Sequence, residues 1–107
     1  MKHIVWLGST RDDVSAFPAD ARQDAGHQLW RVQNGLEPDN WKPMATVGPG
    51  VREIRISDDG RAFRVMYVAN IGDKVFVLHG FEKKTQKTGQ RDIELARKRF
   101  KAIGGSR

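Results

Sequence analysis

The chain has no cysteine among its 107 residues, which excludes disulfides and thiolate metal sites and suits a reducing cytoplasm. Histidine is scarce. His3, His27 and His79 share no metal-ligand spacing with one another or with the scattered acids, so neither metal catalysis nor a cofactor is expected. No apolar run approaches the roughly 18 residues of a membrane span, and the Met1-Lys2 start has no apolar stretch of the signal-peptide kind. The chain contains no Walker loop, no G-x-G-x-x-G and no G-x-S-x-G. Without internal repeats or a linker, residues 1–107 are expected to form one domain.

Positive charge is plentiful, and it is concentrated in the second half. Residues 1–50 hold 5 Lys/Arg against 6 Asp/Glu, whereas residues 51–107 hold 14 against 7. A basic half on a near-neutral half points to a polyanionic partner, either nucleic acid or an acidic protein. A membrane surface fits less well, because the cations do not line one amphipathic helix with a bulky apolar face.

The stretch from Val51 to Thr85 alternates apolar and polar residues in three runs, the period of half-buried strands. Asp59-Gly60 between the first two runs is a strong signal for a two-residue type I′ hairpin, and it fixes a register. Ile56 then faces Phe63, Ile54 faces Val65 and Arg52 faces Tyr67 on an apolar side. On the other side Ser57 meets Ala62, Glu53 meets Met66, and Arg55 stands opposite Arg64. The second turn is either Ile71-Gly72 or Gly72-Asp73. The first choice pairs Val65 with Leu78, Tyr67 with Phe76, Arg64 with His79 and Ala62 with Phe81. The expected result is a row Arg55–Arg64–His79 on one sheet face, with Lys83 and Lys84 leaving its end. Like charges directly opposite cost about 0.2–1 kcal/mol, which an anion lying over the row would relieve.

Around these strands, His3 to Leu7 reads as a first strand. Thr10 with Asp12 and Asp13 reads as a helix start that Phe17-Pro18 interrupts. Pro18 suits the first turn of a second helix. Ala21, Ala25, Leu29 and Val32 recur along it at helical spacing, and Asn34-Gly35 ends it. Two helices with such narrow stripes would cover one face of a sheet. Residues 36–50 read as an irregular connection with a short strand near Ala45–Val47. Trp6, Trp30 and Trp41 are expected to fill the core rather than stack bases. A last helix is expected from Gly89 to Ile103, capped by Thr88, with Ile93, Ala96, Phe100 and Ile103 as its apolar stripe.

A cluster of Arg, Lys and His without carboxylates suits RNA cleavage by the substrate's own 2′-hydroxyl. The protein must align the groups, stabilise a dianionic phosphorane-like transition state and move two protons. His79 is the natural group for one proton transfer. This chemistry requires that the cations share one sheet face and are not buried against acids.

Four strings in order, G-V-R-E-I-R-I (Gly50–Ile56), F-R-V-M-Y (Phe63–Tyr67), V-L-H-G-F-E-K-K-T (Val77–Thr85) and I-E-L-A-R-K-R (Ile93–Arg99), carry a resemblance over nearly the whole chain. The sequence resembles the phage-derived Gp49-like, HigB-type branch of the RelE/ParE toxin superfamily. That resemblance implies an α+β fold in which an N-terminal helical hairpin packs on a small antiparallel sheet, followed by a C-terminal helix. It implies the toxin of a type II toxin–antitoxin pair, most often a ribosome-dependent mRNA endoribonuclease using no metal. The family's basic site residues match Arg55, Arg64 and Lys83, with Lys84 adjacent. RelE proper also uses a tyrosine near its C-terminus, which this chain lacks, and His79 takes that place as in HigB-type relatives. Arg55, Arg64, His79 and Lys83 are therefore the expected catalytic set, with Arg52, Arg61, Lys84 and Lys87 contacting RNA. The expected partners are mRNA, the ribosome and an antitoxin, acidic or of helix-turn-helix type, forming a hetero-oligomer. Two other functions share the features: a ParE-like inhibitor of DNA gyrase, and a non-catalytic nucleic-acid or acidic-protein binder.

Overall fold

The computed structural model describes residues 1–105. Its elements run β1 (His3–Trp6), α1 (Thr10–Ser15), α2 (Ala19–Gln33), β2 (Trp41–Pro43), β3 (Arg52–Asp58), β4 (Arg61–Ile71), β5 (Lys74–Lys83) and α3 (Gln90–Gly105). The strands form one five-stranded sheet in the order β1-β5-β4-β3-β2. β1 lies parallel to β5, and the other neighbours are antiparallel.

This corrects the expected architecture. The sheet is mixed and strand-rich, not a small antiparallel sheet beneath an N-terminal helical hairpin. The chain begins with an edge strand, and the helices lie on both faces. α1 and α2 bury Val14, Phe17, Ala21, Ala25, Leu29 and Val32 against Ile54, Ile56, Phe63, Val65, Tyr67, Val75 and Val77. On the opposite face, α3 packs Ala96 and Ile103, flanked by Ile93 and Phe100, against Met66, Val68 and Leu78. Both apolar helix stripes thus follow the expected spacing. Among the described residues no helix is long and apolar enough to cross a membrane.

The first hairpin follows local chemistry. Asp59 (φ 51°) and Gly60 (φ 76°) take the left-handed conformation that a type I′ turn demands. All seven β3–β4 pairs fall in the expected register, including Arg55 opposite Arg64. The β4–β5 hairpin differs. Gly72-Asp73 forms its turn, since Ile71 pairs with Lys74, and the ladder shifts twice. β4 gains a residue between Val68 and Ile71, and β5 gains Leu78 between Val77 and His79. Each shift is a bulge, in which one residue on the partner strand faces two. As a result Arg64 pairs with Phe81 and Met66 with His79, not Arg64 with His79. Phe76 and Leu78 go to the α3 side, and Val75 and Val77 take the expected places of these two against α1 and α2.

Other boundaries move for identifiable reasons. Ser9, not Thr10, precedes α1, and its hydroxyl donates to Asp13 at 2.7 Å. Pro18 precedes α2 as its N-cap rather than entering it. The short strand is Trp41–Pro43, not Ala45–Val47, because Met44 N–H bonds Val51 O and closes a turn there. Buried Gln28 pins the connection after α2: its amide donates to Asp24 and Asp39, and its oxygen accepts from Asp39 N–H. Gly80 sits where β5 meets α1, and a Cβ there would lie 2.6 Å from Val14 Cγ2.

Candidate functional site

The observed pairing sets out a grid on the α3 side of the sheet. One row reads Lys42, Glu53, Met66, His79. The next reads Arg55, Arg64, Phe81, and the third Ser57, Ala62, Lys83. Strand alternation makes this cluster, since residues two apart share a face. His79 joins it through the β5 bulge: Val77 faces α2, yet both Leu78 and His79 turn toward α3. The carbonyl of Leu78, at the bulge, accepts a hydrogen bond from Arg99 Nη1 of α3 at 3.0 Å.

The four expected catalytic residues therefore come together on one face, but they differ in access. Arg55 is exposed, Lys83 is half-buried, and Arg64 and His79 are buried. Two carboxylates enter the cluster, against the requirement set by the sequence reading. Glu53 is fully buried and places Oε1 3.7 Å from both Arg64 Nε and Lys42 Nζ. Its Oε2 accepts a hydrogen bond from the Thr88 hydroxyl at 2.9 Å, and Thr88 stands two residues before α3 rather than at its cap. Asp92, in the first turn of α3, lies 2.7 Å from His79 Nε2. Arg64 keeps one further bond, from Nη1 to Phe63 O at 2.9 Å.

The electrostatics follow from this crowding. Desolvation lowers the Arg64 pKa, helped by the charge of Arg55 and opposed by Glu53. Lys83 is also lowered, first by desolvation and then by the charges of Arg64, Lys42 and Arg55, with Glu53 opposing. Four cations against two carboxylates leave the cluster net positive. Among the described residues four buried side-chain atoms lack a hydrogen-bond partner, and three of them, Glu53 Oε1, Arg64 Nε and His79 Nδ1, lie here. Such atoms are uncommon and cost about 1–3 kcal/mol each when nothing offsets them, although Glu53 Oε1 and Arg64 Nε attract each other as an ion pair at 3.7 Å. His79 also stacks on Phe81, with ring centroids 4.6 Å apart and planes 18° apart.

The expected RNA contacts divide. Lys84 and Lys87 are exposed on the segment leading from β5 to α3, beside the cluster. Arg52 and Arg61 lie on the opposite face. Arg52 lies on the α2 side, over the Trp41 ring at 3.9 Å and 3.9 Å from Glu37. Arg61 forms a two-pronged pair with Glu82 at 2.8 and 2.9 Å and lies over the Phe63 ring. Trp30 is 48% exposed and stacks on His27 instead of filling the core. Tyr67 is on the far side of the sheet, so the chain's one tyrosine cannot reach the cluster; burial there raises its pKa. A cavity of about 330 Å³ between Lys2, Leu36, Arg52 and Tyr67 lies on that same far side.

A family model described as phage-derived protein Gp49-like matches residues 12–101, from the middle of α1 almost to the end of α3. The chain belongs to this Gp49-like family. No curated protein matches the sequence. Membership in the Gp49-like family is consistent with the toxin of a toxin–antitoxin pair, and such a toxin has an antitoxin as its partner.

Sequence reasoning missed three members of the cluster: Lys42, Glu53 and Asp92. The expected register already places Glu53 on this face, opposite Met66, but its carboxylate was not counted with the cluster. Asp92 fits the positive end of a helix dipole so well that no second role is needed to explain it. Lys42 gives no local signal, because its place depends on where a three-residue edge strand pairs. Among the described residues no three His, Asp or Glu side chains are arranged to hold a metal ion.

Proposed function

We propose that this Gp49-like protein is the toxin of a type II toxin–antitoxin pair and an endoribonuclease that cleaves ribosome-bound mRNA without a metal. The observation that carries the reading is the pairing of Arg55 with Arg64 on a face that also holds Lys83 and His79. The family resemblance supports the ribosome, a helix-turn-helix antitoxin that binds as a hetero-oligomer, and a cytoplasmic site of action.

In this mechanism the RNA's 2′-hydroxyl attacks the adjacent phosphorus and the 5′-oxygen of the next nucleotide leaves. The products are a 2′,3′-cyclic phosphate and a 5′-hydroxyl end. Arg55, exposed, takes the incoming phosphate; Arg64 and Lys83 stabilise the extra negative charge of the pentacoordinate state. His79 exchanges a proton with one of the reacting oxygens. Glu53 and Asp92 cover Arg64 and His79 as the structure stands, so the requirement that the cations be clear of acids is met at His79 only when Asp92 leaves it.

Arg55→Ala is the cleanest test. Its side chain is exposed, so truncation should leave stability within about 0.5 kcal/mol while cutting cleavage about 100-fold or more, as for loss of a charge-stabilising donor. Arg64→Ala is less clean, because it strands buried Glu53. Mapping mRNA ends after induction from a tight promoter reads the result. Cuts that follow codons and vanish with Arg55→Ala support the nuclease; intact mRNA with blocked supercoiling supports a gyrase inhibitor. Full toxicity of Arg55→Ala removes the proposed site.

A further inference from the structure

We propose that residues 84–92 form a latch that holds the cluster closed until an RNA phosphate displaces the Asp92 carboxylate from His79. The inference rests on the RNA reading of the site and concerns its regulation. His79 cannot reach a substrate as it stands. Asp92 takes Nε2, while Nδ1 is buried without a partner. A proton-transfer group must come within hydrogen-bond reach of its substrate, so something has to move.

Three side-chain contacts tie this segment to the sheet, and each engages a member of the cluster. Lys83 Nζ donates to Gln86 O, Thr88 donates to Glu53, and Asp92 bonds His79. Residues 84–89 belong to no helix or strand, and Lys84 to Lys87 are all exposed. An exposed irregular segment held by a few side-chain bonds and running into the first turn of a helix belongs to the part of a fold that opens most readily. The Asp92 carboxylate and a phosphate are both anionic oxygen acceptors, so the exchange keeps the kind of bond made to His79.

Charge also favours opening on contact with RNA. Arg55 is reachable while the latch is shut, so a strand can dock there first. Lys84 and Lys87 face outward on the latch and are drawn to the same backbone. The strand therefore binds the open form better than the closed one, which is the condition for shifting an equilibrium.

The test uses a fluorescent single-stranded RNA made uncleavable by 2′-O-methylation, with affinity measured at one fixed salt concentration. Amide exchange over residues 84–92 is followed in the same samples. Thr88→Val, which changes no charge and little volume, and Asp92→Asn should each raise affinity about 3- to 10-fold by enlarging the open fraction. Exchange over the latch should quicken in both, and also in the wild type on adding RNA. Arg55→Ala should weaken binding. Weakening by Arg55→Ala with no gain from Thr88→Val overturns the latch and leaves the RNA site standing. Unchanged binding by Arg55→Ala overturns the RNA site and the latch together. A melting curve for each variant confirms that it is folded.

Discussion

Glu53 is the most consequential residue that the strand pattern alone does not explain, and its removal tests the physical account of the cluster. Its side chain is fully buried, and Arg64 is 6% exposed beside it. At 3.7 Å and an effective dielectric of about 20, the two charges attract by roughly 4 kcal/mol. Desolvation of both groups offsets much of this attraction. Breaking a buried pair is a different matter, because it strands the remaining charge and costs about 3–5 kcal/mol. Glu53→Gln keeps the shape and an oxygen for Thr88, and Arg64 keeps its bond to Phe63 O. The expected loss is therefore smaller than that range, about 2–3 kcal/mol. For a chain of this size that lowers the melting temperature by about 8–20 °C.

The double variant Glu53→Gln with Arg64→Met is the decisive comparison. Removing both charges leaves neither stranded, so it should recover most of the loss. Urea denaturation of the four proteins gives the coupling, expected above about 1.5 kcal/mol. A Glu53→Gln loss under about 0.5 kcal/mol, with additive effects in the cycle, would falsify the claim that Glu53 and Arg64 form one electrostatic unit.

Two further expectations come from elsewhere in the fold. Gly80→Ala places a methyl 2.6 Å from Val14 Cγ2 on α1, so stability in urea should fall by about 1–3 kcal/mol while Arg55-dependent activity per folded molecule is kept. A loss of less than a few tenths would mean that α1 does not press on β5. Arg61 holds the Glu82 carboxyl below its usual range, first through their hydrogen bonds. A carboxyl lowered in the folded state stabilises above its unfolded pKa, and that contribution disappears as pH falls through the folded value. The stability difference between wild type and Glu82→Gln should thus be present at neutral pH and shrink to nothing in acid. A difference that persists at pH 2 would rule the pair out as its source.

How much of this was legible depended on whether a local signal set the geometry. Asp59-Gly60 demands a particular turn, and every β3–β4 pair follows from it. The Arg55–Arg64 pair was therefore readable from the chain. The second hairpin carries two bulges, and a bulge has no comparable signature, so alternation across β5 gave the wrong side for Phe76 and Leu78. The parallel pairing of β1 with β5 joins residues some 70 positions apart in the chain. Nothing in HIVW announces it, and so the mixed sheet was missed. Arg52 shows a different failure: the register that placed it opposite Tyr67 had already put it on the apolar side, away from the cluster.

The bulge ties the proposed chemistry to a residue that touches none of it. His79 faces α3 because β5 carries one extra residue at Leu78, and Arg99 supplies the charged donor for that residue's carbonyl. A hydrogen bond to a charged group contributes about 1.5–3 kcal/mol. Arg99 also reaches Ser9 Oγ at 3.3 Å, so part of its effect is shared with the loop before α1. Arg99→Ala should therefore cost about 1.5–2.5 kcal/mol and loosen the bulge. The stability loss alone would not separate this role from ordinary packing. The distinguishing readout is the His79 ring in an NMR spectrum, whose contacts with Phe81 and Asp92 should weaken or split into two populations. Arg99→Lys, which retains a donor, should restore them in part. Unaltered His79 contacts in Arg99→Ala would mean that strand pairing alone holds the bulge, and that α3 secures His79 only through Asp92.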